Sequence, residues 1–103
     1  VATKLDRIRA VCAAQPGEPF AWYSLAMELW KTSTTEAAEA FARVHRDFPD
    51  YLPAYYQHGK LLAELGQPEA ARPVLEAGVA LARRVGDGHA LGELSAALEG
   101  LED

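Results

Sequence analysis

Apolar positions recur along this chain at intervals of three and four, and period-two alternation is absent over any useful length, so the pattern predicts helices throughout. The first segment, Thr3 to Ala14, sets Leu5, Ile8, Val11 and Cys12 on one face. Gln15-Pro16-Gly17-Glu18-Pro19 ends it, because proline cannot continue a helix and biases its predecessor away from one. A second helix is predicted from Phe20 to Lys31. Ser33-Thr34-Thr35-Glu36 then has the spacing of a capping box, with hydroxyl and carboxylate each reaching an orphan amide; the third helix runs on to about Asp47. Pro53 suits the first position of a fourth helix, closed by Gly66. Pro68 opens a fifth, to about Val85, and Gly86-Asp87-Gly88 breaks it. From His89 onward Leu91, Leu94, Leu98 and Leu101 mark a sixth amphipathic helix. Pro73 conflicts locally with the fifth helix, where it removes one backbone bond, so a small kink or a later helix start is expected.

The segments also repeat. Pro16 and Pro49 are 33 apart, as are Trp22 and Tyr55, Leu25-Ala26 and His58-Gly59, and Leu29 and Leu62. Ala37 and Phe41 correspond to Ala71 and Leu75 at a separation of 34, the extra residue falling in the turn. A fixed period of this length signals stacked helical hairpins, none of which can bury its apolar side alone.

Those residues carry a resemblance to the tetratricopeptide repeat family. Its pattern sets an aromatic, a leucine with a small residue, and a further large residue on a first helix, then an alanine, an aromatic and a closing proline on a second. Trp22, Leu25-Ala26, Leu29, Ala37, Phe41 and Pro49 follow it, with leucine at 29 for the usual tyrosine and a turn one residue short. Tyr55, His58-Gly59, Leu62, Ala71 and Leu75 follow it again, without a closing proline. Gly66-Gln67-Pro68-Glu69 is similar to the family's inter-helix turn. The first helix resembles the second half of a preceding repeat, and the last resembles a solvating cap. The resemblance implies an all-α, right-handed α-α superhelix of about six short antiparallel helices. The expected arrangement is a single domain over residues 1–103: a leading helix at 3–14, repeats at 19–51 and 52–85, and a cap at 88–101.

Composition narrows the function. Half of the 103 residues are apolar and 24% charged, which suits a packed domain and not a disordered one. A net charge of −5 argues against a general nucleic-acid binder, which needs a basic stripe to displace counterions. Lys4, Arg7 and Arg9, like Arg43, Arg46, Arg83 and Arg84, have acids nearby and read as solvated faces. Cys12 is the sole cysteine, which excludes an internal disulfide, and its apolar stripe predicts a buried small hydrophobe. No apolar run is long enough to span a bilayer, and the opening residues lack the pattern of a signal peptide, so a cytoplasmic protein without membrane contact is expected.

No constellation of side chains asks for catalysis, a cofactor or a metal. His45, His58 and His89 are isolated in sequence; His58, at the leucine site of the second repeat, is expected as a core histidine. Glycines 86, 88 and 92 lack the strand that a phosphate-binding loop requires, and Glu36 with Glu39 reads as a pair of ordinary solvated helix positions.

The second helix is apolar nearly all round, which means burial on several sides or a binding face. Trp22, Leu25, Ala26 and Leu29 form the stripe expected to pack inward, with Phe41. Phe20, Tyr23, Met27 and Trp30 form another. In the family, first helices line a concave groove that holds peptides. By position that groove would contain Phe20, Tyr23, Met27, Trp30 and Lys31, then Tyr56, Lys60 and Glu64, with Tyr23, Trp30 and Tyr56 partly exposed. Aromatics, methionine and a few charges are an interface composition. The implied role is binding of a protein or peptide partner; the alternative is that the same surface joins two copies of the chain as a homodimer or spacer. Tyr23, Ser24, Tyr56 and Gln57 stand where clamp-type members carry asparagines and basic residues for acidic C-terminal tails, a departure that argues against that function.

Overall fold

The computed structural model describes residues 1–101, and these form six helices with no strand among them. They are α1 (Lys4–Ala14), α2 (Pro19–Trp30), α3 (Thr34–Asp47), α4 (Pro53–Glu64), α5 (Pro68–Val85) and α6 (Gly88–Gly100). The boundaries predicted from proline and glycine hold to within one or two residues. Contacts group the chain into two compact units, one of Val1–Phe48 and one beginning at Pro49.

In the first unit α2 packs against α3 and, on another side, against α1. A reciprocal capping box starts α1: Thr3 Oγ1 accepts the Asp6 amide and the Asp6 carboxylate accepts the Thr3 amide, both at 3.0 Å. Those bonds hold the Asp6 carboxyl below its ordinary pKa. The box expected at Ser33 is only half made. Its hydroxyl accepts the Glu36 amide at 3.3 Å, but its own N–H donates to the Leu29 carbonyl at 2.7 Å. The short turn after α2 brings that carbonyl to Ser33, so the amide that Glu36 would take is already satisfied. Ala26, Ala37, Phe41 and Val44 are buried where α2 and α3 meet. Of the α1 stripe only Cys12 is buried; Leu5 and Ile8 are half-buried and Val11 is exposed. Burial pushes the Cys12 thiol up in pKa, which keeps it protonated and unreactive.

In the second unit α5 packs on α4 and α6 closes over both. The core gathers Tyr55, Leu75, Val79, Leu81, Ala82 and Leu94, with Leu91, Leu98 and Leu101 packed against it, so the α6 leucines lie against α5. Two glycines set the helix separations. A Cβ at Gly59 would run into the side chain of Leu75, and one at Gly78 would lie 2.8 Å from both Leu94 Cδ2 and Tyr55 Cβ. Gly86 ends α5 at φ 75°, a left-handed conformation that costs glycine little, and Asp87 caps α6 by accepting the Ala90 amide at 2.9 Å. Pro73 does not delay α5, which begins at Pro68. The bond lost is that to the Glu69 carbonyl, and both residues are exposed, so water can serve it. His58 is buried at 6% exposure, and burial lowers its pKa from 6.5 to about 4. It is therefore a neutral core residue at physiological pH.

One bond recurs with the sequence period. The Trp22 indole N–H donates to the Pro16 carbonyl at 2.9 Å, and 33 residues on the Tyr55 hydroxyl donates to the Pro49 carbonyl at 2.6 Å. In each case the polar tip of a large aromatic ties the first helix of a repeat to the turn before it. That is why these positions carry Trp and Tyr, which have a donor, where phenylalanine has none.

Candidate functional site

The predicted stripe on α2 does not behave as one surface. Tyr23 and Trp30 are half-buried because both meet Phe41 edge-on, with ring centroids at 6.2 and 6.1 Å. Phe41 is fully buried, so these two rings form the wall of the first unit's core as well as part of its surface. Phe20, by contrast, is 61% exposed and sits 6.4 Å from the Tyr23 ring.

Phe20, Tyr23, Met27 and Lys31 converge on one hollow of about 410 Å³, whose other wall is α1, through Lys4 and Ile8. Helical spacing puts the four on one side of α2, and Pro19 at the first helical position fixes where that side begins. Glu28 lies at the rim with Lys31 Nζ at 2.8 Å and Lys4 Nζ at 3.8 Å. The Lys31 hydrogen bond, more than the charge of Lys4, lowers the Glu28 pKa. Two ammonium groups around one carboxylate leave the rim with one net positive charge. Beyond Phe20 a second, smaller hollow of about 230 Å³ is lined almost wholly by apolar atoms, including Val11 and Ala21. Phe20 thus stands as a ridge between two apolar depressions.

Trp30 is not among the residues of the larger hollow. Tyr56, Lys60 and Glu64 belong to α4 in the second unit, where Tyr56 is half-buried against that unit's core and the other two are exposed. Sequence reasoning missed Lys4, Ile8 and Glu28. Ile8 shares the apolar face of α1 with Cys12, but a helix packed on one side only leaves half that stripe open.

The inward stripe needs a correction too. Ala26 and Leu29 are buried, but Trp22 and Leu25 are only half-buried. Their side of α2 looks past α3 towards solvent, and the Trp22 ring is covered there by the Arg43 guanidinium, 4.3 Å from the ring centroid. Ala26 and Ala37 let the helices approach, with Leu29 and Phe41 buried inside the contact, while Trp22 and Leu25 stand at its edge.

Nothing among the described residues groups three or more potential metal ligands, and no described helix is long and apolar enough to cross a membrane. Paired helices repeating at a fixed sequence interval define a helical-repeat protein. The sequence matches the tetratricopeptide repeat model over residues 33–98. A crystal structure of a tetratricopeptide repeat domain protein from Salinibacter ruber superposes with a TM-score of 0.77 at 32% identity, covering 82% of this chain and 97% of that one. A solution structure of a tetratricopeptide repeat domain protein from the same organism gives 0.78 at 33%, covering 84% and 89%. A MamA RS-1 ArsTM double mutant gives 0.71 at 28%, covering 95% of this chain and 56% of that one. None of the curated proteins compared with the sequence matches it significantly. The chain belongs to the tetratricopeptide repeat family, whose members in general mediate protein–protein interaction and do not catalyse reactions.

Proposed function

We propose that this protein binds a segment of a partner polypeptide in the hollow between α1 and α2, and that it performs no catalysis. The observation that carries this reading is the solvent-facing cluster of Phe20, Tyr23 and Met27 beside paired lysines. Large apolar groups are held open to water there on rigid helices, so a partner gains their burial without ordering a loop. Tyr23 is braced by Phe41, which makes it a pre-organised anchor. The net positive rim favours a segment with an acidic residue beside its apolar anchors. The reading rests on the first unit alone, and Tyr56, Lys60 and Glu64 are not needed for it.

The test is capture of partners from an extract of the source organism, followed by calorimetry with the identified segment. Phe20→Ala should keep the fold, because the ring is exposed, and should weaken binding by about 2 kcal/mol if it is a hot spot. Unchanged affinity in Phe20→Ala and Met27→Ala would refute the placement. A variant that binds normally but loses self-association in light scattering would favour the second reading, in which two copies meet through this face.

A further inference from the structure

On the opposite side of α2 from Phe20, Met27 and Lys31 lies a separate hollow of about 220 Å³, between α2 and α3. Its floor is Trp22, Leu25 and Leu29, and its rim carries Glu36, Glu39 and Arg43. We propose that this hollow docks a cationic side chain, arginine or lysine, of a partner polypeptide, with its aliphatic stem on Trp22 and Leu25 and its head between Glu36 and Glu39.

Three independent features point to that occupant. The hollow is smaller than the roughly 300–1,000 Å³ of small-molecule sites, so it suits one anchoring side chain and not a metabolite. Neither rim carboxylate has a cation in ion-pair range among the described residues. Glu36 is left uncommitted for a reason visible in the backbone: the Ser33 amide it would have capped donates to the Leu29 carbonyl instead. Finally, the Trp22 face already accepts a cation from within the chain, since the Arg43 guanidinium lies over it. Arg43 is held sideways by Asp47, at 3.4 Å, so its charge is drawn towards that carboxylate and away from Glu36 and Glu39. A net charge of −5 on the whole chain adds attraction for a basic segment and opposes a second copy of this acidic protein as the occupant.

The Trp22 indole N–H, fixed on the Pro16 carbonyl, is a local reporter. The full chain, labelled with nitrogen-15, is titrated with a capped Leu-Arg-Leu-Arg peptide while the indole resonances of Trp22 and Trp30 are followed. Controls replace arginine by its neutral isostere citrulline, or by glutamate. The Trp22 resonance should shift saturably with the arginine peptide, more weakly as salt rises, while citrulline and glutamate peptides leave it in place. The double variant Glu36→Gln with Glu39→Gln should weaken binding by about fivefold for each carboxylate removed. Arg43→Ala should tighten it by about fivefold, because it removes the resident cation; a merely structural role for Arg43 predicts no tightening. Equal binding of the citrulline peptide, an indifferent Trp22 resonance, or full affinity in the double glutamine variant would each overturn the proposal. So would a Trp22 shift that depends on protein concentration without peptide, which would make the occupant a second copy.

Discussion

Replacing Gly78 by alanine adds one methyl group at the point where α5 touches both neighbours in the second unit. That carbon would lie 2.8 Å from Leu94 Cδ2 and 2.8 Å from Tyr55 Cβ. The leucine end can rotate only into a packed core, and Tyr55 Cβ is fixed to the α4 backbone, so the helices must separate. Overpacking of this kind costs about 1–3 kcal/mol. Alanine in place of glycine within a helix returns about 1 kcal/mol, leaving a net loss of up to about 2 kcal/mol. Gly92 provides the control, because it too is inside a helix and a Cβ there meets nothing within 4 Å. Gly92→Ala should therefore stabilise by about 1 kcal/mol. Urea denaturation followed by circular dichroism measures both, and the two variants should move the midpoint in opposite directions. If Gly78→Ala stabilises as much as Gly92→Ala, the close approach of α4, α5 and α6 is not as described.

Other consequences are equally direct. His58 has a folded pKa of about 4 against an ordinary 6.5, so between those values the unfolded chain binds more protons; stability should fall by up to about 3 kcal/mol as pH drops through that window. His58→Leu, which restores the family's residue, should flatten the dependence, as urea midpoints at several pH values would show. Phe41→Ala should cost about 3–5 kcal/mol because it empties a fully buried site and removes two edge-on ring contacts; Trp22→Ala, at a half-buried site, should cost clearly less, and the reverse order in denaturation would refute the assignment of Phe41 as the centre of its unit. Tyr55→Phe should lose about 1 kcal/mol with the hydroxyl bond to Pro49, since that carbonyl lies at an exposed turn where water can replace the donor.

Where helices start and stop was legible because the signals are local: a proline or glycine acts through its own φ, and Thr3, Ser33 and Asp87 act within one turn. The family assignment followed from spacing, which survives change of residue type, as Trp22 and Tyr55 show by making the same bond with different side chains. What the sequence could not resolve was how far round each helix the packing extends. Trp22 and Trp30 both lie on apolar stripes, and periodicity alone does not say which side of α2 receives α3. Phe41 decides it by meeting Tyr23 and Trp30, so the residue expected in a groove is partly core and the one expected in the core stands at an edge. The walls that α1 contributes were hidden for the same reason. Lys4 and Glu28 look like ordinary solvated charges until folding places their side chains 3.8 Å apart across two helices.

The central claim is that a partner segment occupies the hollow beside Phe20. Placing a photo-crosslinking phenylalanine analogue at position 20 in living cells tests it most directly, with position 85 as the control, because Val85 is exposed to a similar degree on the second unit. Irradiation should give a discrete adduct with one partner polypeptide from position 20, mapped by mass spectrometry to an apolar segment bearing an acidic residue, and none from position 85. No discrete adduct at position 20, or equal labelling from both positions, would contradict the account.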